Sequence, residues 1–188
     1  TGTLTQNKMT VVDHFGGEAG ELAAAMALCC DAELTQEGEV VGEPTEAALV
    51  IWAKKLGLAK SDLKQEQPRI GEAPFDSMRK MMSTIHQDAE GRVIQYTKGA
   101  PDVILNLCSY TMQNGQAVPL TDAEREEILA ANKAMAGRAL RVLACACRIW
   151  SEAPADYEPA LLEQELCFIG LAGMIDPVRP EVKAAIEE

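Results

Sequence analysis

Residues 69–98 read RIGEAPFDSMRKMMSTIHQDAEGRVIQYTK and predict three consecutive strands. The strand candidates are Arg69–Phe75, Lys80–Gln87 and Arg92–Lys98. The loop Asp88–Gly91 joins the last two and contains a glycine, which is typical of a β-hairpin. The middle of the chain is therefore predicted to form an antiparallel sheet.

The sequence on either side of these strands predicts helices and further strands. Acidic residues precede an Ala/Leu/Met-rich run in Glu18–Asp31, as expected for a helix. Residues 121–124, TDAE, match a capping box before a helix over Ala123–Met135. Further helices are predicted over Ala47–Leu56, from Ser61 and over Pro101–Leu107, a hairpin at Asn114-Gly115, and strands over Ala139–Trp150 and Glu165–Met174. Together these elements predict an α+β fold, a twisted antiparallel sheet flanked by helices, that is structurally incomplete at both ends.

The charge balance is acidic, with 17 Lys and Arg against 29 Asp and Glu in 188 residues and a formal net charge of −12. Nucleic acid is excluded as a partner, because non-specific binding depends on cationic side chains that displace counterions from phosphates. The longest apolar run, Leu22–Cys30, is shorter than the roughly 20 residues that span a bilayer. The chain begins at Thr1 without a basic and hydrophobic leader, so we expect no signal peptide and a processed chain or a fragment.

The six cysteines are predicted to be reduced core residues. No Cys-x-x-Cys motif accompanies them, and His14 and His86 are far apart in sequence. Cys145 and Cys147 lie two apart in an apolar segment, which places both on one face of a strand. Buried thiols pack like small apolar side chains, so we predict neither disulfides nor a zinc site.

Two motifs at chain turns are suited to binding an anion. Residues 1–10, TGTLTQNKMT, place small hydroxyl side chains around a glycine, which suits an anion-binding loop. Residues 98–101, KGAP, follow a strand and open a helix, where phosphates are readily bound. Taken alone, the first motif could also be a polar terminus, and the second could be a strand end followed by a turn.

Two further motifs contain residues that suit other parts of a nucleotide. In PFDSMRK, residues 74–80, Phe75 could stack on a planar base and Lys80 could meet a phosphate. In DPVR, residues 176–179, an aspartate and an arginine share one turn between a strand and a helix. The alternatives are a core phenylalanine that closes the sheet, and a capping aspartate beside a surface arginine.

In this order and spacing, the motifs resemble the large cytoplasmic loop of P-type ATPases, cation pumps that form an aspartyl-phosphate. The family signature is DKTGTLT, and its last five residues stand at Thr1–Thr5. KGAP at 98–101, LRVLA at 140–144 and GMIDPVR at 173–179 follow in the family's order, with Phe75 in the segment between. The resemblance covers essentially the whole chain.

The resemblance also favours a branch of the family and a domain arrangement. GEPTEAAL at 42–49 is similar to the calcium-pump-like and sodium/proton-pump-like branches, and the His-Pro element of heavy-metal pumps does not occur. In this family the nucleotide-binding domain is inserted into the phosphorylation domain. We therefore expect phosphorylation-domain stubs at residues 1–12 and 167–188, around a nucleotide-binding domain at residues 13–166.

The resemblance implies an ATP site with separate groups for base and phosphates. Phe75 would stack on adenine, Glu46 would hydrogen-bond near the adenine amino group with Thr45 beside it, Lys98 would line the pocket floor, and Gly99 would let the base approach the backbone. The phosphate and hinge residues it implies are Lys80, Arg141, Asp176, Arg179, Thr1 and Thr3, with the Thr1 backbone carbonyl as a contact to Mg²⁺.

The resemblance implies no catalytic residue within this chain. The acceptor aspartate would precede Thr1, so the chain is expected to bind ATP and Mg²⁺ without turnover, as an isolated monomer. One base stack and a few exposed charges suggest an ATP dissociation constant on the order of 0.1–1 mM. The implied partners are the phosphorylation, actuator and transmembrane domains of the same polypeptide, on the cytoplasmic side of a bacterial plasma membrane.

One departure from the family and one competing hypothesis remain open at this point. Some relatives carry an arginine two residues after the stacking phenylalanine, where this chain has Ser77, and Arg79 is a possible replacement. The competing hypothesis is a free-standing acidic interaction module without nucleotide chemistry. It draws on the absent catalytic aspartate and on the acidic surface.

Overall fold

The computed structural model describes residues 9–176 of the 188-residue chain. In chain order the elements are β1 (Thr10–Phe15), α1 (Ala19–Leu28), β2 (Glu33–Leu34), β3 (Val40–Val41), α2 (Pro44–Lys55), α3 (Lys60–Glu66), β4 (Arg69–Asp76), β5 (Met81–Gln87), β6 (Val93–Gly99), α4 (Pro101–Asn106), β7 (Cys108–Gln113), β8 (Gln116–Pro119), α5 (Asp122–Gly137), β9 (Arg141–Trp150), α6 (Pro159–Leu162) and β10 (Leu166–Ile175).

One large sheet runs through the molecule in the order β4-β5-β6-β9-β10-β7-β8, and β1 also pairs with β10. The neighbouring strands are antiparallel except for β10 and β7, which are parallel over a short register from Leu166 and Cys108. β2 and β3 form a separate hairpin. The predicted α+β fold with a largely antiparallel sheet flanked by helices is confirmed.

Helices cover both faces of this sheet. Alternation along β9 points Cys145 and Cys147 into a core with α1 and α2, on what we call the α1 face. Ala144 and Ala146 enter the core formed with α4 and α5, on the α5 face. β10 is apolar along its length because it is buried on both faces.

Several local signals act as the sequence indicates. Thr121 and Glu124 form a reciprocal capping box at the start of α5, each side chain accepting from the other residue's backbone N–H at 3.1 Å. Asn114 and Gly115 both have positive φ, 52° and 78°, as a two-residue hairpin turn requires. All six cysteines are free and buried, which confirms their prediction as core thiols.

Three short elements have no counterpart in the sequence prediction. The β2–β3 hairpin and the four-residue helix α6 are too short for a hydrophobic period to register. The predicted domain limits at residues 12 and 167 fall inside β1 and β10, which pair with each other; the limits stay predictions. Within residues 9–176, no helix combines the length and the apolar character that a membrane crossing demands.

Candidate functional site

The predicted nucleotide residues converge where β6 ends. The register aligns Lys98 with Met82 of β5 and with Cys145 of β9. It aligns Gly99 with Met81 and Ala144 of the same two strands. The residue just before β5, Lys80, accepts a backbone hydrogen bond from Ala100 N–H at 3.1 Å. This end of the sheet therefore brings together chain segments that are distant in sequence.

Lys98 and Glu46 form an ion pair across the α1 face. Lys98 Nζ lies 3.0 Å from Glu46 Oε2, and the Lys98 residue is 5% exposed. Burial acts to lower the pKa of Lys98, but the neighbouring Cys29, Cys30 and Glu46 outweigh it and hold that pKa above its ordinary value. Lys98 is therefore a buried cation whose charge is compensated by one carboxylate.

Glu46 is held in place by the first turn of α2 and by a neighbouring loop. Its backbone N–H donates to the Glu43 side chain at 3.2 Å, which caps the helix, and Pro44 occupies the first turn. Its Oε1 accepts from Asp31 N–H at 3.2 Å. The side chain is 17% exposed, so part of it stays accessible, and a carboxylate can accept more than these two hydrogen bonds.

The loop that supports Glu46 is itself fixed by two cations. α1 has no basic residue in its last turn. Lys60 Nζ instead donates to the carbonyls of Cys30, at 2.9 Å, and Ala32. Arg69 donates to Cys30 O at 2.7 Å and pairs with Asp31. These contacts satisfy carbonyls beyond the helix end and fix the Asp31 amide that Glu46 uses.

Thr45 links this pair to the start of β9. Arg141 Nη1 donates to Thr45 Oγ1 at 3.0 Å, and the rest of Arg141 is exposed. Arg141 and Asp176 line the same open cleft of about 330 Å³, together with Met9, Ala136, Ala139 and Leu140. Arg141 therefore contacts Thr45, next to Glu46, and also lines the cleft that contains Asp176.

Phe75 and Lys80 flank the connection between β4 and β5. Phe75 is 63% exposed on an edge strand, so the alternative of a core phenylalanine is wrong. Lys80 is exposed and adopts a positive φ of 63°, and its amide donates to Asp76 O at 2.7 Å. The tight turn brings both side chains to the same end of the sheet as Lys98.

The packing of neighbouring strands requires a glycine at position 99. A Cβ on Gly99 would lie 2.3 Å from Lys80 O and 2.7 Å from Met81 Cβ. Glycine thus lets β5 and its preceding turn approach β6 closely. The atoms that approach Gly99 belong to Lys80 and Met81 of this chain. The sequence had led us to expect that a nucleotide base approaches the backbone at this glycine.

Arg79, the possible replacement for the arginine absent at Ser77, is paired within this chain. Its Nε and Nη2 atoms form a two-pronged pair with Glu163, at 2.8 and 3.1 Å. Sequence reasoning missed Glu163, which is 84 residues away and follows a short apolar helix, because nothing local marks an acidic residue as buried.

Some predicted residues fall outside the described part of the chain. These are Thr1, Thr3 and Arg179, and with them the Mg²⁺ contact of the Thr1 carbonyl. Among residues 9–176, no group of three or more His, Cys, Asp or Glu side chains could hold a metal ion. The described site thus consists of Thr45, Glu46, Phe75, Lys80, Lys98, Gly99, Arg141 and Asp176.

Comparison with known proteins bears on the whole chain. Residues 18–181 match the family model described as P-type ATPase, cytoplasmic domain N. Calcium-transporting ATPase 1 of Lactococcus lactis is 42% identical over the full chain, and its namesake in Bacillus cereus is 41% identical. A probable cation-transporting P-type ATPase of Mycoplasma genitalium is 38% identical over 99% of the chain.

The chain spans 20% to 23% of the length of these relatives, so it corresponds to one part of much longer proteins. The match to the domain model covers most of the chain and contains every described site residue. This chain therefore belongs to the P-type ATPase family, in the part described as cytoplasmic domain N.

Proposed function

We propose that this chain is the ATP-binding domain of a cation-transporting P-type ATPase. The observation that carries the proposal is the Lys98–Glu46 pair, whose partly exposed Glu46 side chain lies at the same end of the sheet as the exposed Phe75. An exposed aromatic ring and a charge-compensated carboxylate at one end of the sheet suit adenine, which offers a π-face and an amino donor. Family membership counts against a free-standing interaction module.

In the proposed complex, base and phosphates contact different elements. Phe75 stacks on the adenine ring, and Glu46 accepts a hydrogen bond from the adenine amino group. Lys98 lines the floor and fixes the Glu46 carboxylate from 3.0 Å away. Thr45 contributes indirectly, because its hydroxyl holds Arg141.

The phosphate side of the complex is open and cationic. Lys80 and Arg141 are exposed, and they offer positive charge to the triphosphate. Asp176 and Arg141 line the same cleft of about 330 Å³; we assign Asp176 to the hinge side. Mg²⁺ bound to the triphosphate would neutralise part of its charge.

The reaction itself takes place on an aspartate outside this chain. A carboxylate oxygen of that aspartate attacks the γ-phosphorus, the bond to the bridging oxygen breaks, and ADP leaves with the electron pair. The contribution of this domain is positioning, which in phosphoryl transfer is a large part of catalysis. Alone, the chain binds ATP and does not turn it over.

The wider setting follows from the relatives. Because relatives at about 40% identity are named calcium-transporting ATPases, we propose calcium as the transported ion. The remaining phosphorylation, actuator and transmembrane domains would lie on the same polypeptide. The domain would then work on the cytoplasmic side of a membrane, a bacterial plasma membrane by similarity to these relatives.

Phe75→Ala tests the proposal by isothermal titration with ATP. Loss of one base stack, worth roughly 1–3 kcal/mol, is expected to weaken binding about 5-fold or more. Met78→Ala is the matched control, because Met78 lies in the same connection and is 89% exposed. Equal affinities of the wild type and Phe75→Ala would reject the stacking role.

A further inference from the structure

A row of buried polar side chains crosses β5 and β6 on the α5 face. Ser83 and Thr97 face each other with oxygens 2.8 Å apart, and Gln95 Nε2 lies 2.8 Å from Thr97 Oγ1. Glu163 closes the row from the loop after α6, with Ser83 Oγ 2.8 Å from its Oε2. Ser83, Thr97 and Gln95 have no exposed surface.

The hydrogen bonds in this row have one direction. The Ser83 hydroxyl has a single proton, and it donates to the Glu163 carboxylate. Ser83 must then accept from Thr97, which in turn accepts from the Gln95 amide. Trp150 Nε1 donates to Gln95 Oε1 at 3.0 Å, so successive donors all lead toward one carboxylate.

Arg79 supplies the positive charge for that carboxylate and also binds the backbone around it. Besides its two contacts with Glu163, Nη2 donates to the carbonyls of Pro74 and Met81, each at 3.2 Å. These two residues bracket the segment that carries Phe75 and Lys80. One guanidinium therefore ties both ends of the β4–β5 connection to a buried anion.

We propose that Arg79 and Glu163 are positioning residues that hold Phe75 and Lys80 in place for the nucleotide. The proposal rests on the ATP-binding function proposed above and deepens it. Phe75 is 63% exposed and has little packing to fix its ring, so its order comes from the backbone that Arg79 holds. A ring ordered before binding loses less conformational entropy when the base stacks on it.

Arg79 acts through the turn and does not contact phosphate. Its Nε and Nη2 protons are taken by Glu163 and by backbone carbonyls, and Nη1 lies 3.7 Å from Asp76 Oδ2. The competing possibility is that Arg79 leaves Glu163 and reaches the triphosphate. The two differ in whether the effect of Arg79 depends on Glu163.

Fluorine NMR can read Phe75 directly, because the chain has only three phenylalanines. The 188-residue chain is labelled with 4-fluorophenylalanine as wild type, Arg79→Gln, Arg79→Lys, Glu163→Gln and the double variant Arg79→Gln/Glu163→Gln. The matched control is Arg92→Gln, which breaks an arginine–carboxylate contact of 2.8 Å with Asp88 at the opposite end of β5 and β6. Spectra are recorded without nucleotide and during titration with ATP and with AMP.

Without nucleotide, the Phe75 signal is expected to shift and narrow in every Arg79 and Glu163 variant, while the buried Phe168 signal stays in place. ATP and AMP affinities should both fall about 5-fold in each single variant, and the double variant should lose no more than either single one. Arg79→Lys should not restore nucleotide affinity, because lysine keeps the positive charge but lacks the two-pronged guanidinium contact. Arg92→Gln should behave as the wild type.

Several results would overturn the proposal. An unmoved Phe75 signal in folded Arg79→Gln does so even if ATP binding is weakened, and so does an additive loss in the double variant. A loss confined to ATP, with AMP unaffected, would assign Arg79 to phosphate. Collapse of the Phe168 signal in both Arg79→Gln and the near-isosteric Glu163→Gln would assign the pair to global stability instead.

The proposed function has its own failure signal. Absence of any wild-type response to millimolar ATP would reject the ATP site, and the pair's role toward a nucleotide with it. The nucleotide-free Phe75 signal would still report separately whether Arg79 and Glu163 order the turn.

Discussion

Two buried ion pairs lie at the same end of the sheet, on opposite faces, and differ in what surrounds the carboxylate. On the α5 face, the Glu163 side chain is 4% exposed and accepts from both prongs of Arg79 and from Ser83. On the α1 face, the Glu46 side chain is 17% exposed and accepts from Lys98 and from the Asp31 amide. We propose that the carboxylate closed by protein donors holds structure and that the more exposed one binds the ligand.

The alternation of β6 separates the two pairs. Thr97 and Lys98 are neighbours in sequence, so their side chains point to opposite faces of the sheet. Thr97 joins the row that leads to Glu163, and Lys98 meets the first turn of α2. A single strand end thus supplies the floor of the proposed nucleotide site on one face and support for its base-stacking turn on the other.

The largest expected effect is on the free energy of unfolding. Equal losses on removing the two cations would mean that the two ion pairs do not differ as proposed. Arg79→Met leaves Glu163 buried without its cation and should lower the free energy of unfolding by about 3–5 kcal/mol. Lys98→Met should cost less, because Glu46 is partly exposed and keeps the Asp31 donor. Urea denaturation measures both, and an equal or larger loss for Lys98→Met would contradict the distinction.

The buried His86 is expected to make the fold less stable in acid, so the two ion pairs should be compared at neutral pH or above. His86 is 1% exposed; its Nδ1–H donates to Gln67 O at 2.9 Å, so Nε2 accepts from the Thr84 hydroxyl. Burial, aided by the nearby charges of Arg69 and Lys60, lowers the pKa of His86 to about 4. The unfolded chain takes up the proton first as pH falls, so stability is complete above about pH 6.5 and declines toward pH 4.

The expected acid loss from His86 is about 3 kcal/mol between pH 7 and pH 4. His86→Gln should flatten that part of the stability profile, and His14→Gln, at an exposed position, should leave it unchanged. Denaturation midpoints at successive pH values provide the measurement. A profile that keeps its full slope in His86→Gln would show that another group is responsible.

The next effect is on nucleotide affinity and sharpens the role of the α1 face. Lys98→Met removes the cation on the pocket floor and the donor that orients Glu46, so ATP binding should weaken roughly 10-fold. Isothermal titration above pH 7 measures it, with Lys54→Met as the control, because Lys54 donates to a loop carbonyl, that of Gly38, at 2.8 Å. Unchanged affinity in Lys98→Met would remove this pair from the site.

The smallest effect is expected at the exposed turn. Lys80→Met should cost about 0–1 kcal/mol of ATP binding free energy, because a solvated ammonium contributes little to an exposed contact. The difference between Lys80→Met and the wild type should shrink further as salt is raised. A loss larger than that of Lys98→Met would mean that the turn, and not the pocket floor, dominates recognition.

Much of this fold could be predicted because its signals are local. The strands within residues 69–98, the hairpin at Asn114-Gly115 and the capping box at Thr121 are encoded by neighbouring residues, and each is present. The spacing of Cys145 and Cys147 likewise fixed their common face. Neighbouring residues were sufficient to predict each feature that lies within a single helix, strand or turn.

The rest depends on contacts between distant segments. Glu163 contacts Arg79, which is 84 residues away in sequence, and Lys60 contacts a carbonyl after α1 that is 30 residues away. No local sequence pattern predicts either contact. The predicted contact of Gly99 with a base stays a prediction, and the structure adds a packing reason for this glycine that only the pairing of β5 with β6 reveals. The nucleotide residues themselves were found by family resemblance, since Phe75 or Lys98 alone is an ordinary residue.

The most direct test of the central claim is a map of backbone amide shifts in the 188-residue chain as ATP is added. We expect shifts that saturate at millimolar ATP at Glu46, Phe75, Lys98 and Arg141, and none at the far hairpin around Arg92. Shifts that spare Glu46 and Lys98, or no shifts at all, would contradict the assignment of the open ion pair to the nucleotide.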